Sequence, residues 1–176
     1  MNINYNTVDK SANSILEYCA YPDEGLPEKI FLMVSALVPI PNVDLFIFNK
    51  KKEILLLWRD DIFFGKGWSI PGGCIRFNET LEQRVHRTAL KELGQDVKII
   101  EGPIAVRDVI RGPNKNLKYP NYRGHNITIP YICGLSDENI DSDNKNIRWF
   151  NKIPENILKV HHVYFDLFEQ YGLMNK

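Results

Sequence analysis

The side chains best suited to chemistry cluster in one short stretch and at a few isolated positions outside it. From Gly73, five residues lead to Glu79, seven more to Arg87, and Glu92-Leu93-Gly94 closes the run. Upstream, Asp44 interrupts the apolar segment Val43-Asp44-Leu45-Phe46-Ile47-Phe48, and a carboxylate in such a segment needs either a partner or a task. Downstream, Arg111, Lys115, Lys118 and Arg123 place four cations before His125 with no acidic residue between them. Such a loop can close over phosphates, or stack Tyr119 or Tyr122 on a base, and the alternative is a solvated surface loop. His125 opens the next apolar segment and is a candidate substrate contact.

These residues must be positioned by elements that can be read locally. Thr80 with Gln83 three residues on suits a helix-capping box, Leu81, Val85 and Ala89 share one helical face, and Gly94 stands where the helix stops. Thr80 to Leu93 is therefore expected to be a helix, preceded by a loop crowded with Gly65, Gly67, Pro71, Gly72 and Gly73. Val43 to Phe48 and Ile54 to Arg59, around a polar five-residue connection, predict a β-hairpin in a sheet covered on both faces. Further strands are expected at Val97 to Ile100, Ala105 to Ile110, Asn126 to Cys133 and Ile147 to Phe150, with a last helix from His162 to Tyr171. Ser11 to Tyr18 suits a short helix, Tyr21 to Gly25 a break, and Glu28 to Leu37 a helix more than a strand. The result is a mixed α/β (α+β) domain, with residues 1–28 as an N-terminal extension and 29–176 as the domain proper.

Composition narrows the function. A chain of 176 residues, 44% apolar and 25% charged, supports one globular domain. Lys+Arg and Asp+Glu balance at 22 each, so there is no global field to hold a nucleic-acid backbone, and any polyanion site must be local. Cys19, Cys74 and Cys133 show no metal-ligand or disulfide spacing and fit reduced thiols in a cytoplasmic protein, with Cys74 a packing residue. The first residues lack the basic and apolar regions of a signal peptide, and no apolar run is long enough for a membrane span.

The run Gly73-x5-Glu79-x7-Arg87, ending in Glu92 and Gly94, resembles the Nudix box, G-x5-E-x7-R-E-U-x-E-E-x-G-U. Trp68-Ser69-Ile70-Pro71-Gly72-Gly73 resembles the lead-in of that family, and Trp149-Phe150 with Ile153-Pro154 its later part. The resemblance implies a mixed β-sheet sandwiched between helices and hydrolysis of a nucleoside-diphosphate compound with a divalent ion, Mg²⁺ or Mn²⁺. Three positions depart from the box, with Thr88 after the arginine, Lys91 for the first paired glutamate and Gln95 for the last aliphatic residue. Positions 88, 91 and 92 share a helical face that in most members gathers carboxylates for several ions, and here only Glu92 is acidic. One Mg²⁺ is the reasonable maximum.

That thinning is similar to the GDP-mannose mannosyl hydrolase branch, which also shares Glu79-Thr80-Leu81-Glu82, a strand aspartate, an arginine fifteen residues on and a late Val-His pair. Asp44, Arg59 and Val160-His161 match in order. The branch implies that water attacks the anomeric carbon of a nucleoside-diphosphate sugar and that the nucleoside diphosphate leaves. On that reading His161 is the base, with His162 as its neighbouring alternative, Asp44 orients water or a sugar hydroxyl, and Gly72 and Glu92 hold Mg²⁺ with Arg59 nearby. Cys74 stands where the branch has an arginine, so a phosphate contact is lost or passes to Arg76. Arg76, Arg111, Arg123 and His125 form the expected substrate-binding set. Glu79 with Arg87 is read as a bracing ion pair, and Trp58, Trp68 and Trp149 as framework. The alternatives are a Nudix pyrophosphohydrolase attacking phosphorus and an inactive nucleotide-binding module. Pairing of two copies through the segment before Glu28 is a further expectation.

Overall fold

The computed structural model describes residues 5–19, 25–136 and 145–174. The expected break at Tyr21 to Gly25 lies outside them except for Gly25. Along the chain run α1 (Tyr5–Tyr18), α2 (Glu28–Leu37), β1 (Ile40–Ile47), β2 (Ile54–Asp61), β3 (Gly65–Ser69), β4 (Gly72–Cys74), α3 (Leu81–Leu93), β5 (Val97–Glu101), β6 (Arg107–Ile110), β7 (His125–Leu135) and β8 (Ile147–Phe150). A 3₁₀ segment, Lys159–Tyr164, then leads into α4 (Phe165–Gln170). No helix of the described residues is long and apolar enough to cross a membrane.

Two sheets form the framework. In the first, β1 lies between β4, to which it is antiparallel, and β7, to which it is parallel, and β5 and β6 pair with β7. In the second, β2 lies between β3 and β8, antiparallel to both. The hairpin expected from Val43 to Arg59 therefore does not form. Both edges of β1 are already paired, so β2 meets it through the single bridge Phe48↔Ile54 and departs into the other sheet. The turn between them closes locally, with Asn49 Oδ1 accepting from the backbone N–H of Lys51 and Glu53. An apolar run shows that a strand is buried on both faces without naming the strand beside it.

The side-chain alternation of β1 divides the core. Val43, Leu45 and Ile47 pack with Val85 and Ala89 of α3, whereas Phe46 packs with Tyr164 and Phe168 near the C-terminus. Phe46 meets Tyr164 edge-on at 5.2 Å and stacks on Phe168 at 5.6 Å. Asp44 lies two residues before Phe46 and shares its face, so the carboxylate enters the same layer as Tyr164.

Helix α3 begins and ends as its sequence predicts. The Thr80 hydroxyl accepts from the Gln83 N–H at 3.2 Å, the Gln83 side chain accepts from the Thr80 N–H at 2.9 Å, and Gly94 caps the far end at φ 72°. The helix buries Arg84, Val85, Thr88 and Ala89 and leaves Lys91 exposed. The glycine-rich approach to it is more regular than expected, since Gly65–Ser69 and Gly72–Cys74 are strands. The C-terminal element starts earlier than expected, in the 3₁₀ segment that carries His161 and Tyr164.

Candidate active site

A cleft of about 430 Å³ opens where β1, β4 and α3 meet the loop before β7 and the 3₁₀ segment. Its basic side chains are Arg59, Arg76, Arg84, Lys91 and Arg123, and its acidic ones Asp44 and Glu92. Five basic side chains thus line the cleft against two acidic ones, with Arg84 paired to Glu79 outside the lining and Arg59 paired to Glu92. Leu26, Phe31, Val34, Phe64 and Phe77 give it an apolar portion. Gly25 and Leu26 thus bring the proposed extension to the wall of the cleft.

Asp44 has its partners. Its Oδ2 accepts from the Thr128 hydroxyl at 2.6 Å and from the Tyr164 phenol at 2.7 Å, and these two hydroxyls also touch each other. Its Oδ1 accepts from the Asn42 amide at 2.6 Å. Gly72 is the register partner of Asp44, and any Cβ at Gly72 would collide with Oδ1, so only glycine lets β4 pass this carboxylate. Burial and the Asp44 charge together push the Tyr164 phenol far above its ordinary range and keep it a neutral donor. Asn42, Thr128 and Tyr164 were absent from the expected site. Only Asn42, two positions away on the same strand face, carried a local signal.

Glu92 lines the cleft, as expected, with its Oε2 3.2 Å from Arg59 Nη2. Both side chains are partly exposed, at 20% and 27%. Thr88 and Lys91 line the same wall. The Thr88 hydroxyl is buried and has no hydrogen-bond partner among the described residues, and it sits where a Cβ on Gly73 would fall. Below this wall, Glu79 braces the loop to the helix. Its 1%-exposed carboxylate accepts from Arg84 at 2.6 and 2.7 Å, from Arg87 at 2.9 Å and from the Arg76 N–H at 2.9 Å. Burial opposes the Glu79 charge, yet the Arg84 hydrogen bond, the Arg76 N–H and the Arg84 and Arg87 charges outweigh it and hold the carboxyl below its usual range. Arg87 is the partner expected; Arg84, the more buried one, was not.

His161 lies buried against β3 and the residue after it. Its Nε2 is 3.0 Å from the Ser69 hydroxyl and accepts the Ile70 N–H at 3.2 Å, which leaves the proton of the neutral ring on Nδ1. Burial, opposed by Asp44 and reinforced by Arg59 and His162, lowers its pKa to about 4. The unfolded chain binds this proton below about pH 6.5, and the native chain only below about 4. Native stability is therefore expected to fall by up to about 3 kcal/mol as pH drops through that window. Urea unfolding at both ends of the window, on wild type and His161→Gln, checks this. An unchanged pH slope in the variant would show that another group is responsible.

Of the four residues expected to bind substrate, Arg76 and Arg123 line the cleft. Arg123 is packed 5.1, 5.0 and 5.6 Å from the rings of Phe31, Phe63 and Phe64. Arg111 and His125 do not line the cleft. The Arg111 guanidinium donates to the Phe63 carbonyl at 2.6 Å and to the Arg123 carbonyl, and it lies 4.4 Å from the Phe64 ring. It ties the basic loop to the turn after β2. His125 faces Asp108 across the β6–β7 pair at 3.4 Å. Cys74 lines the cleft; burial raises its thiol above the ordinary range, against Arg123, Arg84 and Lys91, which lower it.

The chain matches the NUDIX domain over residues 38–163. It belongs to the Nudix family. The fold agrees with solved Nudix structures. A MutT NUDIX hydrolase from Burkholderia pseudomallei superposes with a TM-score of 0.57 at 20% identity, over 73% of this chain and 97% of that one. A protein from Jonesia denitrificans described as a possible asymmetric diadenosine tetraphosphate (Ap4A) hydrolase superposes with a TM-score of 0.61 at 17% identity, over 80% and 99%. Among curated proteins, the low-salt glycan biosynthesis protein Agl8 of Haloferax volcanii is 36% identical over 78 residues, 44% of this chain. That match spans about half of the relative, 49% of its length.

Proposed function

We propose that this Nudix hydrolase acts on a nucleoside-diphosphate sugar of the GDP-mannose type, with water attacking the anomeric carbon and the nucleoside diphosphate leaving. The observation that carries the reading is the cleft-facing wall of α3, where Thr88 and Lys91 stand beside Glu92 as the sole carboxylate. Among the described residues no three Asp, Glu, His or Cys side chains come together as a metal site. The described residues thus offer no cluster of carboxylates for activation of water at phosphorus by several ions. Attack at carbon needs chiefly a cationic environment for the departing diphosphate, and the cleft has one. The partial similarity to a glycan biosynthesis protein supports a sugar-bearing substrate.

Glu92 and Gly72 both line the cleft, and Glu92 with the Gly72 carbonyl are the proposed protein ligands of one divalent ion, with substrate oxygens completing the shell. Mg²⁺ bound there would offset charge on the leaving diphosphate. Arg59, paired with Glu92 on the cleft wall, would be the arginine beside that ion and is proposed to contact the diphosphate. Asp44 is the group proposed to align the attacking water and receive its proton, since Oδ1, with Asn42 as its one side-chain donor, reaches the cleft wall at Gly72 while Oδ2 is held by two hydroxyls. His161, uncharged at neutral pH with its proton on Nδ1 and Nε2 engaged by Ile70, is proposed to position the Ser69–Ile70 wall. This assignment of the base departs from the one the family resemblance implies. Arg76 and Arg123 are the proposed diphosphate contacts.

Incubation with GDP-mannose, UDP-glucose, ADP-ribose and Ap4A in Mg²⁺ or Mn²⁺ tests the reading. Free sugar and nucleoside diphosphate are expected from a nucleotide sugar. Sugar phosphate and nucleoside monophosphate would instead establish attack at phosphorus.

A further inference from the structure

Two of the cations that line the cleft, Lys91 and Arg123, stand outside the ion pairs made by Glu92 and Glu79. Lys91 lies on the same wall as Glu92, yet among the described residues that carboxylate pairs with Arg59. Arg123 comes from the loop before β7, its guanidinium set among three phenyl rings and its Nε buried without a hydrogen-bond partner. Lys91 from α3 and Arg123 from the loop before β7 line the same cleft from different elements. The partnerless Thr88 hydroxyl lies one helical turn from Lys91 and Glu92 on that face. The Lys91 ammonium and the Arg123 guanidinium, with the Thr88 hydroxyl beside them on the cleft lining, offer donors for phosphate oxygens.

We propose that Lys91 and Arg123 hold the diphosphate of the ligand directly, so that a nucleoside diphosphate binds this cleft without any divalent ion. The inference rests on the reading that the cleft takes a nucleoside-diphosphate compound, and it separates two requirements. Binding belongs to the resident cations, and the ion at Glu92 is needed for turnover alone. A lysine at position 91 also sets a specific ion dependence. Exchanging it for a carboxylate would place two acidic groups side by side on α3 and make anion binding depend on a cation between them.

Calorimetric titration of the full chain with GDP and with ADP, in excess EDTA and in Mg²⁺, tests the proposal. Wild type is expected to bind at least one of them in EDTA within about threefold of its affinity in Mg²⁺. Lys91→Met should bind about tenfold more weakly in EDTA, as expected for loss of a charged hydrogen bond. Lys91→Glu should weaken binding further in EDTA and regain it in Mg²⁺. Lys91 is solvent-exposed, so both variants should keep the wild-type melting temperature, which is measured alongside. Wild-type binding seen in Mg²⁺ and lost in EDTA would overturn this inference while leaving the proposed substrate class intact. Lys91→Met binding as tightly as wild type in EDTA would also overturn it. Absence of binding in both buffers would remove the diphosphate reading and this inference together.

Discussion

Glu79→Ala is expected to destabilise the protein by about 3–5 kcal/mol and to lower its melting temperature by roughly 10 °C or more. The carboxylate is almost wholly buried and is the acceptor for two arginines and one backbone N–H. Its removal leaves the Arg84 guanidinium, itself 6% exposed, as an uncompensated charge inside the domain. Arg87 is half exposed and can find water, so Arg87→Ala should cost about 1 kcal/mol or less. Thermal melts of the two variants check the contrast. Equal losses would mean that Arg84 is not the residue that makes Glu79 indispensable.

Glu92→Gln is expected to reduce kcat by about 10²–10³-fold with little change in melting temperature. The side chain is at the cleft wall and its ion pair with Arg59 is partly exposed, so its contribution to stability is about 1 kcal/mol or less. Its proposed contribution to turnover is larger, because it is the sole acidic group on the cleft-facing side of α3. Initial rates at saturating nucleotide sugar, together with a melt, separate the two effects. A variant with full activity would remove Glu92 as the metal ligand. A variant that melts far below wild type would make the residue structural.

The part of the site that was legible in advance is local. The caps of α3 are written in Thr80, Gln83 and Gly94, whose hydrogen bonds lie within one turn, and the spacing from Gly73 to Glu92 survives folding because a helix carries most of it. Asp44 announced itself as a carboxylate in an apolar strand. Its donors did not, since Thr128 and Tyr164 reach it across 84 and 120 residues of sequence. The same limit explains the hairpin that does not form. Residues 43–48 and 54–59 look alike in apolar character, and only the competing partners β4, β7, β3 and β8 divide them between two sheets. Arg111 and Arg123 illustrate a third limit. Composition counted both as phosphate-seeking charges, whereas burial against Phe63 and Phe64 commits Arg111 to backbone carbonyls and leaves Arg123 at the cleft. Arg84 was hidden because a buried arginine on an amphipathic helix face is rare unless paired, and its partner, Glu79, had already been assigned to Arg87.

The central claim is that water adds to carbon in a cleft whose cations receive the diphosphate. Hydrolysis of GDP-mannose in ¹⁸O-water with Mg²⁺, followed by mass spectrometry of both products, tests it most directly. One ¹⁸O atom is expected in the released sugar and none in the nucleoside diphosphate. Label in a phosphate, with a nucleoside monophosphate as product, would contradict it.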